Sequence, residues 1–319
     1  MSVAWISRCR RVFVTGGTGF FGKSILDYLK RHPDFRADDE WTILSRDPER
    51  FRSQNAALLD QNRKIGFVAG DVRDFHAEGR YDEIIHAATA AVTTLSDDEM
   101  TTTIVEGTRH VLDFAKSCGA KKILLTSSGS VYGPQTAPVG EDAPCNPVMA
   151  YGKGKLEAER MCVASGLDAK IVRCFAFVGP YLNRDIHYAI GNFIRDCLAG
   201  EPIIIKGDGT PQRSYLYADD LVEWLFAVLD RGASGRPYNV GSPDGLSIRD
   251  LAERVRAALG TKNDIRVLGV PVPGAAPSVY VPDVSRAVRE LGLRVTVDLA
   301  SAVRRSVGAI NSNKCRMRV

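Results

Sequence analysis

Three residues with complementary chemistry stand at a telling spacing: Ser128, then Tyr151 and Lys155 four residues apart in the run YGKGK. On a helix, a spacing of four brings two side chains to one face. A lysine ammonium beside a phenol favours the phenolate. The spacing therefore predicts a Tyr151 whose pKa is drawn down from about 10 by Lys155, so that it gives or takes a proton near neutrality. Ser128 ends the apolar run KILLTSS and is placed to hold a substrate oxygen by hydrogen bond. A hydroxyl, a phenol and an ammonium in this order suit hydride chemistry at a carbinol or ketone carbon, which also requires a hydride carrier.

A loop for such a carrier lies upstream. Thr15-Gly16-Gly17-Thr18-Gly19-Phe20-Phe21-Gly22 joins the apolar run RVFVT to a helix-period segment, with glycines at G-x-x-G-x-x-G spacing. Gly16 allows a tight turn, Gly19 lets backbone N–H groups approach a pyrophosphate, and Gly22 lets helix and strand pack closely. Glycines also serve ordinary turns, and it is the strand-to-helix setting that makes this a dinucleotide signature. The second strand ends in Leu44-Ser45-Arg46-Asp47. A small hydroxyl followed by a guanidinium suits a 2′-phosphorylated ribose and points to NADP(H). In the alternative, Arg46 covers the adenine and Asp47 binds an unphosphorylated ribose, which gives NAD. Asp71, in the run GDV, either bonds the adenine amino group or caps a turn.

The elements that must carry these residues follow from periodicity. Apolar runs at 11–15, 41–45, 66–70, 83–88, 122–128 and 169–175 read as strands, and they alternate with helix-period segments such as KSILDYLKRH, TTTIVEGTRHVLDFAKSC and YGKGKLEAERMCVAS, the last on a helix opening near Pro147. Strands joined by crossover helices predict an α/β fold with a doubly wound parallel sheet. Beyond about residue 175 Gly and Pro break the chain into short pieces, which predicts a smaller lobe. The expected division is a dinucleotide-binding domain over 1–175, with returning segments near 212–242, and an interleaved substrate-binding lobe over 176–319.

Composition narrows the class. The 319 residues are 45% hydrophobic and 25% charged, which excludes a disordered chain, and 42 basic against 38 acidic residues leave a net +4, too little for a nucleic-acid surface. Seven scattered cysteines (Cys9, Cys118, Cys145, Cys162, Cys174, Cys197 and Cys315) show no metal-like spacing and read as reduced thiols. No run of eighteen apolar residues occurs, and the opening residues hold no apolar stretch of signal-peptide length; a cytoplasmic protein with no membrane span is expected. The basic tail NKCRMRV reads as a solvated end.

Several segments in order, TGGTGFFG, HAA at 86–88, SSGSVYG at 127–133, YGKGK, RCFAFVGP, GDGTPQRSYLYADDL and YNVGS, resemble the extended short-chain dehydrogenase/reductases, the nucleotide-sugar epimerases, dehydratases and reductases. The resemblance implies a Rossmann domain with NAD or NADP and a carboxy-terminal lobe for a nucleotide diphosphate sugar. It implies catalytic roles for Ser128, Tyr151 and Lys155. Phe20, Phe21, Val72, Ala87 and Ala88 join the cofactor contacts, with His86 nearby. Arg213 resembles the arginine that contacts the diphosphate, and Ser130 and Asn192 fall at substrate-lining positions. The helices near 98–118 and 147–165 match those that pair relatives into dimers, so a homodimer is expected.

Three departures shape the functional reading. The family's 4,6-dehydratases resemble one another in an Asp-Glu pair after the catalytic hydroxyl; here those positions are Gly129 and Ser130, which removes the acid and base of a usual dehydratase and the glutamate of a decarboxylase. The frequent Asn-Val-x-Gly-Thr reads Ile104-Val105-Glu106-Gly107-Thr108, and the asparagine of Arg-x-x-Asn reads Ala176. What remains suffices for an NADPH-dependent 4-ketoreductase of a nucleotide-activated 4-keto-hexose. The alternative is an NAD-dependent 4-epimerase using the same three residues, with the 176–190 loop deciding whether the sugar turns over. A non-catalytic NADP-binding scaffold is the third reading; it would be expected to lack the Tyr or the Lys.

Overall fold

The computed structural model of the chain describes residues 9–59, 62–89, 96–185 and 188–316, with side chains as far as residue 308. The opening residues, positions 186–187 of the 176–190 loop and the side chains of the basic tail lie outside the described residues. Along the first part run β1 (Arg11–Thr15), α1 (Phe20–Arg31), β2 (Glu40–Ser45), α2 (Pro48–Gln54), β3 (Ile65–Ala69), β4 (Glu83–His86), α3 (Asp97–Ser117), β5 (Lys122–Ser128), α4 (Ala150–Ala164) and β6 (Asp168–Cys174). There follow β7 (Phe177–Val178), α5 (Ala189–Ala199), β8 (Ile203–Ile205), β9 (Gln212–Arg213), β10 (Leu216–Tyr217), α6 (Ala218–Arg231) and β11 (Pro237–Val240). The chain closes with β12 (Leu246–Ser247), α7 (Ile248–Leu259), β13 (Ile265–Val267), β14 (Val279–Tyr280), α8 (Ser285–Leu291) and α9 (Leu299–Arg316).

Seven strands form one sheet in the order β11-β6-β5-β4-β1-β2-β3. β1 pairs in parallel with both β2 and β4, so the chain winds outward from β1 in one direction and then, from β4, in the other. That reversal is the switch point of a doubly wound sheet, beside which such folds bind ligands. Val12, Phe13, Val14, Ile84, Ile85, Ile123, Leu124 and Leu125 are sealed from solvent, as strands covered on both faces must be. Thr15, Ser45, His86 and Ser128 end their strands on the carboxyl edge. α1 buries Ile25, Leu26 and Leu29, the stripe its periodicity marks. A capping box opens α3: the Glu99 N–H donates to Ser96 Oγ, and the Ser96 N–H donates to the Glu99 carboxylate at 2.9 Å. α4 starts at Ala150, three residues after Pro147, and Pro147 lies close to Gly152, where a built Cβ would stand 2.9 Å from the Pro147 Cβ.

The chain divides into two compact units, one of residues 1–127, 153–171 and 233–236, the other of residues 128–152, 172–232 and 237–319. The second has its own apolar core, built by Val178, Ile190, Phe193, Leu251, Val255 and Val303 among others. Its β14 pairs in parallel with β9, with Tyr280 in register with Arg213. No helix among the described residues is long and apolar enough to cross a membrane.

Candidate active site

In the first unit the glycine loop closes on its own backbone. Gly16 has φ +72°, and a Cβ there would stand 2.4 Å from the Ala87 carbonyl carbon and 2.6 Å from the Ala88 nitrogen. Only a residue without a side chain turns the chain this close to the 87–88 segment. The Ala88 N–H donates to Thr15 Oγ1 at 3.2 Å, which fixes that segment to the end of β1. The Gly19 N–H is used within the turn, donating to the Gly16 carbonyl at 3.0 Å. The space beside Gly19 is open, its nearest neighbour being the Gly16 oxygen at 3.4 Å from a built Cβ.

α1 then begins at Phe20 and Phe21 with no side-chain cap and no acidic residue in its first turn. A helix start of that kind leaves backbone donors and the positive end of the dipole for an anion, and this fits the pyrophosphate of a dinucleotide. At the adenosine end, Ser45 Oγ accepts the Asp47 N–H at 3.2 Å, and the Asp47 carboxylate caps α2 by accepting the Arg50 N–H at 2.9 Å. Arg46 is exposed between them. Asp71 holds Arg73 Nε at 2.7 Å. Burial works against the Asp71 carboxylate, yet the hydrogen bonds from Arg73 and the charges of Arg73 and Arg46 bring its pKa below the usual range. Val72 packs on α3, where a Cβ on Gly107 would come within 3.0 Å of it.

His86 is fully buried at the end of β4, with Nδ1 2.8 Å from Thr15 Oγ1 and Nε2 3.1 Å from Thr108 Oγ1. Thr108 spends its own proton on the Ile104 carbonyl at 2.7 Å, so the Nε2 of His86 must be the donor and Nδ1 the acceptor. Burial first, and then the Lys155 charge, push the imidazole pKa down to about 3. The ring stays neutral and positions Thr15 and Thr108. A depressed folded-state pKa means that the unfolded chain takes up a proton here below about 6.5 and the folded chain does not until about 3. Stability is therefore present above that window and lost as pH falls through it. Thermal melts across the window should show His86→Gln less acid-sensitive than the wild type by about one proton; parallel curves would contradict the assignment.

Lys155 is also buried in the first unit, with Nζ donating to Thr89 Oγ1 at 2.6 Å and to the Thr126 carbonyl at 2.8 Å. Further along α4, Glu159 accepts the Ser127 hydroxyl at 2.5 Å. Ile104 fills the space beside Gly154 with an apolar contact, its Cβ 3.3 Å from where a Gly154 Cβ would stand.

The second unit brings Ser128, Ser130, Tyr151 and a residue not singled out from sequence, Tyr280, into one cluster. Ser128 Oγ accepts the Ser130 N–H at 3.1 Å and lies 3.1 Å from Ser130 Oγ and 3.3 Å from the Tyr280 hydroxyl. Tyr151 hydrogen-bonds Ser128 as well. The Tyr151 phenol differs from expectation: its pKa is raised. Burial disfavours the phenolate, the nearby Tyr280 adds to this, and the hydrogen bond with Ser128 offsets only part of it. Gly129 faces the Phe175 ring so closely that a Cβ would stand 2.7 Å from it.

Phe175 also packs on Tyr280, with ring centroids 4.8 Å apart. The Arg213 guanidinium lies over the Tyr280 ring, 5.6 Å from its centroid, and donates to the Gln212 carbonyl at 2.7 Å. Asn192 stands on the first turn of α5, which starts after Tyr188, and its Oδ1 is 3.5 Å from Arg195 Nη1. Tyr280 comes from a stretch broken by Gly and Pro, and its only sequence signal is an aromatic residue before Val-Pro-Asp.

The model of the NAD dependent epimerase/dehydratase family matches residues 12–241. Among characterised proteins, UDP-glucuronic acid decarboxylase 6 of Arabidopsis thaliana is 31% identical over 305 residues, covering 91% of this chain and 85% of its own. The UDP-N-acetyl-alpha-D-glucosaminuronate decarboxylase of Bacillus cytotoxicus is 30% identical, covering 84% of this chain and 85% of its own. A dTDP-glucose 4,6-dehydratase of Streptomyces venezuelae, solved with NAD bound, superposes with a TM-score of 0.80 at 27% identity, over 96% of this chain and 98% of its own. The UDP-glucuronic acid 4-epimerase of Bacillus cereus shares the fold with a TM-score of 0.80 at 24% identity, over 95% and 99% of the two chains. The chain belongs to the NAD-dependent epimerase/dehydratase family, the extended short-chain dehydrogenase/reductases that modify nucleotide sugars.

Proposed function

We propose that the chain is an NADPH-dependent 4-ketoreductase of a nucleoside diphosphate 4-keto-hexose. The observation that carries the reading is the surroundings of Ser128: Ser130 and two phenols, with no carboxylate at 129 or 130 and the Phe175 ring standing where a side chain at 129 would have to go. Elimination of water needs an acid and a base beside the reacting carbons, and the family resemblance implies a glutamate for decarboxylation where this chain has Ser130. Carbonyl reduction needs neither. When bound, the reduced nicotinamide supplies the hydride. Ser128 holds the carbonyl oxygen, and Tyr151 gives it a proton as charge develops there. A phenol whose pKa burial has raised rests in the protonated form, which suits an acid. Lys155, one turn along α4, supports the phenolate that the proton transfer leaves.

Ser45 and the exposed Arg46 are the proposed 2′-phosphate contacts, because Asp47 is already engaged as the cap of α2. Asp71, Val72, Ala87 and Ala88 complete the cofactor side of the proposal. The remaining carboxy-terminal residues form the sugar-nucleotide lobe, with Arg213 on the diphosphate and Ser130 and Asn192 lining the sugar. The homodimer through α3 and α4 belongs to the same reading. An NAD-dependent 4-epimerase is the second reading, favoured by the NAD dependence of the family.

The test is a panel of sugar nucleotides and their 4-keto derivatives with NADPH and NADH, following nicotinamide absorbance and product isomers. Consumption of NADPH in proportion to 4-keto sugar is expected; isomer formation without net consumption would establish the epimerase instead. Arg46→Ala should weaken NADPH binding by about 10-fold or more, as loss of a charge-assisted hydrogen bond implies, and NADH binding much less. Equal losses would remove the phosphate contact from the account.

A further inference from the structure

Ser128 has one proton and two lone pairs to distribute among several neighbours. One lone pair takes the Ser130 N–H at 3.1 Å. If the second takes the Tyr151 hydroxyl, the phenol's proton is spent on serine and is not free for a substrate. If the Ser128 proton goes to Ser130 Oγ, 3.1 Å away, the serine too has nothing to offer. The Tyr280 hydroxyl decides between these states. It stands 3.3 Å from Ser128 Oγ and 3.3 Å from the Cys174 carbonyl, with the Ser130 side chain as a further hydrogen-bond partner, so rotation about one C–O bond moves its proton from the carbonyl to Ser128.

Resting on the reading that Ser128 holds the reacting oxygen, we propose that Tyr280 is a positioning residue, whose hydroxyl fills the second lone pair of Ser128 and so turns the Ser128 and Tyr151 protons toward that oxygen. With Ser130 N–H and Tyr280 O–H both donating to Ser128, its lone pairs are filled and its proton is left to Ser130 Oγ or to the substrate oxygen, the more basic acceptor as charge develops there. Tyr151 finds no lone pair on serine and is released to the same acceptor. No bond other than hydrogen bonds changes in this step, and the reduction itself keeps its balance of one hydride and one proton. The ring of Tyr280 is held independently of its hydroxyl, by Phe175 at 4.8 Å, by the Arg213 guanidinium at 5.6 Å and by the pairing of β14 with β9. Removing the oxygen alone therefore isolates this role.

The experiment is a double-mutant cycle on the full chain with Tyr280→Phe and Ser128→Ala, measuring kcat, KM and melting temperature. In the wild-type background Tyr280→Phe should lower kcat by about tenfold with KM and melting temperature unchanged, and in the Ser128→Ala background it should have no further effect on kcat. An unchanged kcat, a loss carried by KM, a loss that vanishes when rates are corrected for folded fraction, or an equal loss in both backgrounds would each overturn the proposal. Failure of the underlying reading looks different. A Tyr151→Phe enzyme that keeps its turnover, or a wild-type chain that turns over no sugar nucleotide, overturns the functional assignment and this inference with it.

Discussion

Tyr151→Phe is expected to lower turnover by on the order of 10²–10⁴-fold, the range for loss of a positioned proton donor, while dinucleotide affinity and melting temperature stay at their wild-type values. The substitution deletes one oxygen. Ser128 keeps Ser130 and Tyr280 as partners, so the cluster loses its acid without losing its frame. Steady-state rates and a fluorescence titration of the dinucleotide check both halves, and an enzyme with undiminished turnover would move proton transfer to another group. The pH profile carries the same information. An acid must be protonated to act, and burial raises the phenol pKa, so kcat for reduction should hold through neutrality and fall only on the far alkaline side. A rate that rises with pH through neutrality would mark Tyr151 as a base instead.

Gly22→Ala is expected to destabilise the fold beyond the usual overpacking cost of about 1–3 kcal/mol. A Cβ at Gly22 would stand 2.1 Å from the Gly17 Cα and 2.2 Å from the Gly17 carbonyl carbon, and these are backbone atoms that cannot swing away. Gly17 is itself pressed on Ile43 of β2, where a Cβ would come to 2.5 Å, so the loop has no slack in that direction. Gly19→Ala is the contrast. Its nearest obstacle is an oxygen at 3.4 Å, so the melting temperature should hold while a methyl group enters the open space and dinucleotide affinity falls. Melting curves and dinucleotide titrations of the two variants separate packing from binding; a Gly22→Ala protein that melts like the wild type would contradict the close-packed loop.

Much of this was legible in the sequence because its physics is local. Strands buried on both faces have to be nearly continuous apolar runs, which is why RVFVT, EIIH and KILLTSS could be read directly as the centre of a parallel sheet. That Tyr151 and Lys155 share one helix needed only the helical repeat. The rest depended on contacts between distant segments. Tyr280 reaches Ser128 through a two-residue strand whose register with Arg213 leaves no periodic trace, in a stretch broken by Gly and Pro. The upward shift of the Tyr151 phenol has no trace in the spacing for the same reason. Spacing revealed the lysine, but the burial that raises the phenol pKa, and the Tyr280 and Cys174 groups that add to it, come from contacts between distant segments. Likewise Gly129 read as a missing acid, whereas the structure adds that Phe175 closes the position to any side chain.

The most direct measurement uses NADPH carrying deuterium at the transferable position of the nicotinamide, incubated with a nucleoside diphosphate 4-keto-6-deoxyhexose, with the product sugar read by mass spectrometry and NMR. One deuterium per sugar, at C4, with stoichiometric loss of NADPH and none of it in Tyr151→Phe, is the predicted result. A product that carries no deuterium, or a Tyr151→Phe enzyme that transfers it as fast as the wild type, would contradict the account.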